Sequence, residues 1–433
     1  MTAVTEQANP YVEAFAAAAA AGPAWLDDLR GTAIRRFAEL GFPTTHEEEW
    51  RFTNVAPIAR TQFAPAGPVP VTAAELDRLA YPGACRLVFI NGRFAPKLSS
   101  RGGLPAGVEA GSLAEALRAN PDAVRAHLGR HAEFANHAFV ALNTAFLADG
   151  ACVRVPKGTV VEEPIHLVFV AAGAGAPAVS HPRSLVTIGP NAQATLAETY
   201  VGLEGAATFT NAVTEIVTGE NAVVDHYKLQ LERVEAFHVA TMQLAQGRNV
   251  NFASHSISLG GALARNDVNA VLSEGCECTL NGLYVVTGRQ HVDNHTAIDH
   301  AKPHAVSHEL YKGILDGQAA AVFNGKIYVR KDAQKTDAKQ TNKNLVLSED
   351  AVINTKPELQ IWADDVRCTH GATIGQLDAE AIFYLRSRGI GKEDARDMLT
   401  QAFARDIVDR IRIAAVRERL ERALFERLHE YGH

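Results

Sequence analysis

A chain of 433 residues that is 47% hydrophobic and 21% charged can bury a sizeable core and has the make-up of a water-soluble protein of two or three domains or of one extended repeat array. Its formal net charge of −7 supplies no basic surplus for nucleic acid, and its five cysteines, at 85, 152, 276, 278 and 368, are odd in number and lack framework spacing, which points to free thiols in the cytoplasm. The apolar run from Phe15 to Ala21 is mostly alanine, follows Glu13 and stops at Gly22-Pro23; it is too short for a membrane span and lacks the basic flank of a signal peptide.

In chain order, residues 10 to 42 place Trp25, Leu26, Leu29, Ile34, Phe37 and Leu40 at helical spacing, and Gly41-Phe42-Pro43 ends that amphipathic region. Residues 44 to 53 read as a turn, and a proline-rich connector follows from about 56 to 72. Arg86 to Ile90 and Arg93-Phe94 then read as two short strands about the Asn91-Gly92 turn. From 111 to 147 the helical pattern returns through Leu113, Leu117, Val124, Leu128, Phe134, Phe139, Leu142 and Phe146, so residues 1–148 form a mainly helical N-terminal region.

The texture changes at Asp149-Gly150. Runs such as Ala151 to Val155, His166 to Val170 and Ser184 to Ile188 are rich in β-branched residues and bounded by Gly and Pro, and no helix-length segment interrupts this pattern for about two hundred residues. Gly189, Gly219, Gly247 and Gly275 recur about every 28 to 30 residues, each in a turn before a strand, and Gly317 follows after a longer insert. A period of that size without helices predicts stacked β coils: a right-handed parallel β-helix core over 149–378, with a β-sandwich or double-stranded barrel as the alternative. Beyond Gly391-Lys392, an apolar stripe of Met398, Leu399, Ala402, Phe403, Ile407, Ile411, Ala414, Leu420, Leu424 and Leu428 predicts a C-terminal helical region, 379–433, whose charged face is solvated or docks a partner.

The chemistry is sparse. Gly325-Lys326 is followed by Ile327 and Gly391-Lys392 by Glu393, so no phosphate-binding P-loop is present; nor is there a dinucleotide glycine fingerprint, a G-x-S-x-G elbow or an H-E-x-x-H helix. Any nucleotide hydrolysis belongs to another chain. Cys276 and Cys278 would share one face of a strand, but a structural zinc site needs four ligands and no second pair exists, so they read as buried thiols. His291, His295, His300, His304 and His308, with Asp293 and Asp299, form the densest run of potential ligands, yet Ala301-Lys302-Pro303 interrupts it. Hydrogen-bonded histidines on a coil face are the competing reading. Cys368 and His370, two residues apart, would share a strand face and could bind one iron or receive sulfur together; a small apolar thiol beside a satisfied histidine is the plainer alternative. Two ligands do not close a cluster, so a working site would need a second chain or exogenous groups.

The stretch from Phe323 to Ile390 carries a family resemblance. Phe323 to Val329, Asp332 to Ala338, Gln340 to Asn342, Lys356-Pro357, Ala363 to Val366, Cys368 to Thr373, Gly375 to Asp378 and Phe383 to Ile390 closely resemble the SufD family of iron–sulfur cluster assembly proteins, with weaker echoes at Gly41 to Pro43, Glu49-Trp50, Ala141 to Phe146 and Tyr311 to Leu315. The resemblance implies a parallel β-helix flanked by helices and a non-enzymatic scaffold subunit. It implies pairing with a SufB-like paralogue, and a SufC-like ATPase docked on the C-terminal helices. It also implies a transient iron–sulfur cluster at the paralogue interface, with His370 and Cys368 as this chain's metal ligands and no cofactor held stably by the single chain. Alternatives from other classes are a β-helix enzyme acting on polysaccharide, for which no carboxylate pair can be nominated, and an iron-free structural homodimer.

Overall fold

Successive strands in the chain alternate between two sheets, and within each sheet every core neighbour is parallel and one full coil away. The computed structural model describes residues 10–17, 22–81, 83–173 and 175–430, with the side chains of 425 and 427–430 also outside the described set. One sheet runs through Arg183–Ile188, Thr208–Thr218, Phe237–Gln246, Leu263–Leu272, His291–His300, Ala320–Val329 and Val352–Ile361. The other runs through Gln193–Gly202, Val223–Leu231, Asn251–Ser258, Glu277–Val286, Val306–Leu315, Asp337–Val346 and Arg367–Gly375. The result is a parallel β-helix of about seven turns.

Alternation along each strand divides the side chains between interior and outer face. In Val223–Leu231, Val224 joins the interior cluster, while Tyr227 and Leu229 join a cluster on the outer face. Both faces are buried, which is why these strands carry long runs of buried residues and not a polar alternate face. The second sheet's outer face is covered by helices Lys392–Val408 and Ala414–Glu430 through Ala404, Ile407, Val408, Val416, Leu420 and Leu424. The first sheet's outer face is covered by Ala24–Leu40 and Ala138–Ala145, through Ala33, Ile34, Phe37, Phe139 and Leu142. The expected helical regions thus clad opposite sides of the solenoid. Gly41, at φ 66°, ends the first long helix as expected by returning its N–H to Phe37. The alanine run's last residues, 18–21, and the Leu428 side chain lie outside the described residues.

The sheets also reach upstream of residue 149. Cys85–Ile90 pairs in parallel with Ile165–Ala171, and Glu109–Ser112 pairs antiparallel with Ala151–Val155. The expected hairpin is present, with Asn91 and Gly92 both at positive φ, as a two-residue primed turn requires.

The repeat is real, but its register differs from the glycine spacing. Asn191, Asn221, Asn249, Gly275, His304 and Lys335 occupy one left-handed position in the turns leading into the second sheet. The N–H of each donates to the next coil, from Asn191 to Glu220 O (2.8 Å) through to Lys335 to Asp365 O (2.7 Å). Gly189, Gly219 and Gly247 precede that position by two residues, whereas Gly275 occupies it, and a Cβ there would meet the Asn249 amide. Gly317 belongs to the opposite column of turns, between Val306–Leu315 and Ala320–Val329, stacked on Gly288. Glycine marks both columns because both need close backbone approach; spacing alone cannot separate them.

Beneath the helical cladding, Arg183 and Glu215 form an ion pair (2.7 Å) with neither side chain exposed. Burial would raise the Glu215 carboxyl, but Arg183 and the N–H groups of Gly129, His131 and Ala132 outweigh it and hold it below its ordinary value. Replacing Glu215→Gln strands a buried guanidinium, and the expected loss is about 3–5 kcal/mol. Urea denaturation measures it; a loss under about 1 kcal/mol would mean that the pair does not tie the helical region to the sheet.

Candidate functional site

A stack of coils ends where no further coil follows. Among the described residues Val352–Ile361 pairs only with Ala320–Val329, and Arg367–Gly375 only with Asp337–Val346, so each terminal strand has one free edge. The turn between them is stitched to the coil below: Asp365 N–H donates to Gln334 Oε1 (2.9 Å) and the Lys335 and Asp365 side chains pair. This anchoring fixes the start of the last strand, which carries Cys368 and His370.

Both residues lie on the inward side of that strand. Cys368 is the register partner of Ala338 and His370 of Gln340, two interior positions of the preceding coil. Cys368 is half-buried against a small cluster that includes Ile327, Val329, Ala338 and Ala363, and burial pushes its thiol up. His370 is exposed. The expected pair therefore shares one face, at the open end of the helix. Among the described residues no group of three His, Cys, Asp or Glu side chains converges as a metal site.

The other expectations separate cleanly. The coil disperses the histidine run: His291 and His295 are on the first sheet's outer face against Thr53, Asp293 and Glu49, whereas His300 meets the Ser307 hydroxyl (2.9 Å). His304 occupies a left-handed turn and His308 is exposed. Cys276 and Cys278 are buried in the interior cluster, and burial pushes both thiols up.

Sequence reasoning passed over a charged cluster that its plain turn at 44–53 builds with the first sheet. Trp50 lies under the Arg265 guanidinium, 3.7 Å from ring centre to Cζ. Arg265 pairs with Asp267 (2.8 Å) and Asp293 (2.7 Å), and Thr53 donates to Asp293 (2.6 Å). His295 bridges Asp293 (3.0 Å) and Glu49 (3.3 Å), Lys326 pairs with Glu49, and Lys356, on the terminal strand, with Glu48 (2.6 Å). The acidic run Glu47 to Glu49 beside a tryptophan was the available signal, and it had no visible partner in sequence. A cleft of about 250 Å³ lies along this seam, lined in part by Arg51, Asn324 and Lys356.

Glu49 is held down to about 2 by its hydrogen bond from His295, with Lys326 assisting against burial. Burial opposes charge on His295, and Arg265 does too, but Asp293 and Glu49 outweigh them and raise it above 6.5. A raised histidine contributes stability below its unfolded value that is lost as pH rises through the folded one; a depressed carboxyl contributes above its unfolded value and is lost as pH falls. The seam is therefore firmest between about pH 4.5 and 6.5. Hydrogen exchange at residues 44–55, corrected for intrinsic rates, is expected to show less protection at pH 8.5 than at pH 6, with the difference abolished in His295→Gln. Equal protection at both pH values in the unaltered protein would show that this histidine does not hold the turn.

The fold and the free end define a class: a helix-clad parallel β-helix whose last strand carries a cysteine and a histidine on one face beside a free edge. Comparison with known proteins makes this more specific. Residues 169–403 match the SufBD core domain of SUF system FeS cluster assembly, and residues 5–167 match the SufBD N-terminal region. The chain belongs to the SufBD family. It is 40% identical over 410 residues to an iron–sulfur cluster assembly SufBD family protein of Synechocystis, covering 92% of this chain and 90% of that one. It is 33% identical over 402 residues to the iron–sulfur cluster assembly protein SufD of Escherichia coli, covering 91% of each, and 27% identical over 409 residues to SufD of Bacillus subtilis, covering 92% and 93%.

Proposed function

We propose that this chain is a non-enzymatic scaffold subunit of a SufBCD-like iron–sulfur cluster assembly complex, in which it forms one wall of the place where iron and sulfide meet. The observation that carries the reading is the juxtaposition of Cys368 and His370 on one face of a terminal strand with one free edge, with no third ligand beside them among the described residues. His370 is the main ligand from this side and Cys368 the auxiliary one. The cluster is cargo, completed by groups from a second chain, since a thiolate and an imidazole suit iron but two donors do not enclose it.

A SufB-like paralogue is the partner for the free edges. Unpaired strand edges recruit further strands, and the apolar side chains of Val352, Ile361, Trp362 and Ile374 at this end are 53%, 40%, 51% and 55% exposed. In its absence the same edges support a homodimer. A SufC-like ATPase docks on the C-terminal helices and supplies the nucleotide chemistry for which this sequence has no P-loop. Two features support that surface: helix Ala379–Ser387 buries none of its residues and exposes Phe383 and Tyr384, and a cleft of about 510 Å³ between the last two helices is lined by Arg405, Glu418, Glu421 and Arg422. Five free cysteines favour the reducing cytoplasm. Among the described residues no helix is long and apolar enough to cross a membrane.

The test is anaerobic reconstitution of the chain with the paralogue and the ATPase, followed by iron and acid-labile sulfide counts. His370→Ala is expected to lower cluster content by at least about tenfold, the least that disturbing a ligand shell costs, and Cys368→Ala by less. Full cluster assembly by His370→Ala would remove the ligand role. Hydrogen exchange at 352–361 and 367–375 should slow when the paralogue is added.

A further inference from the structure

The inward positions of the second sheet form straight columns, and the column ending at His370 is polar. Glu309, Gln340 and His370 are register partners on three successive strands. With strands about 4.8 Å apart, Glu309 lies about 10 Å down the stack from His370, too far to share an ion with it but next to the residue between them. Glu309 is 3% exposed and Gln340 1%. Burial pushes the Glu309 carboxyl up to about 7, with Thr296 and Gln340 pulling the other way.

Gln340 is held in a defined sense. Its Nε2 donates to Glu309 Oε2 (2.7 Å), which commits the amide's donor end to the carboxyl below. Its carbonyl Oε1 is buried and has no hydrogen-bond partner among the described residues. Gly325, on the facing sheet, keeps the place open, because a Cβ there would collide with the Gln340 amide. The fold thus fixes a buried acceptor with nothing to accept, one strand below an exposed imidazole. A histidine that binds metal through one nitrogen ordinarily donates from the other, and that second bond sets its tautomer and ring orientation.

We propose that Gln340, oriented by Glu309, is the positioning residue for His370: its Oε1 accepts the N–H of one ring nitrogen and leaves the other nitrogen's lone pair facing the open edge, ready for a Lewis-acidic metal ion. The proposal rests on His370 being a ligand, but its test does not depend on cluster assembly. The readout is the ring-nitrogen spectrum of the full chain labelled with ¹⁵N-histidine, alone and with the paralogue, with His370 assigned by its loss in His370→Gln. In the unaltered complex His370 is expected as a single neutral tautomer with widely separated nitrogen shifts. Gln340→Met should give averaged shifts, Gln340→Glu should restore the single tautomer, and Glu309→Gln, which keeps the side chain's size, should give partial averaging. An averaged His370 ring in the unaltered complex overturns the proposal even if Gln340→Met does not fold. So does a single tautomer that persists in Gln340→Met and Glu309→Gln with unchanged melting, since it would make the column merely structural. Full cluster assembly by His370→Ala, together with the expected spectra, would fault the ligand reading and leave the positioning role standing.

Discussion

The structure depends on one constraint: in a parallel stack each coil satisfies its backbone only through its neighbours. The ladder of left-handed turn residues from Asn191 to Lys335 shows how closely the coils are tied, each N–H donating to the coil above. Inside the stack this leaves no unpaired edge. At its end it leaves two, and no arrangement of this chain's own described residues closes them. The free end and the placement of Cys368 and His370 there are consequences of the same geometry, because both lie on the inward side of a coil with no successor among the described residues.

The two helical regions solve a different problem. A solenoid of two parallel sheets has apolar outer faces as well as an apolar interior, and each face needs cover. The N-terminal helices cover one and the C-terminal pair the other. The seam at Glu48 to Thr53 joins the N-terminal region to four strands in turn, ending on Lys356 of the terminal strand. The C-terminal helices reach the solenoid's later coils as well, where Lys312 pairs with Asp406 (3.2 Å). The terminal coil is therefore held on the N-terminal side through Lys356 while its edges stay free.

The interior is not a plain hydrocarbon core. Midway along it, Glu232 meets His238 (2.8 Å) and Lys228, pushed down to about 8 by burial, donates to Asn266. Nearer the end, Gly282 and Gly313 leave room for the rings of Tyr311 and Tyr284, which pack where side chains would otherwise stand. The Tyr284 hydroxyl and Asn344 Oδ1 lie 2.5 Å apart, and Asn344 in turn bonds Asn342 (2.6 Å). Polar groups that must find partners fix register more strictly than apolar ones, since a one-residue slip would bury them unpaired.

Much was legible in the sequence for local reasons. Hydrophobic period, Gly and Asn turn signals and strand-length runs separated helical from β territory and gave the stacked coils, the Asn91-Gly92 hairpin and the helix stop at Gly41. The i, i+2 spacing placed Cys368 and His370 on one face because strand geometry alone decides that. What it could not decide was which face pointed inward and which coil lay on which. The five histidines from 291 to 308 are a cluster in sequence and four environments in space, because a turn of the coil sends neighbours to opposite sides. Glu309 and Gln340, Glu49 and His295, Arg183 and Glu215 lie about 30 to about 250 residues apart in the chain, and stacking alone brings each pair together. Side-chain period is written in the sequence, but contact between coils is set by register, which exists only once the chain has closed on itself.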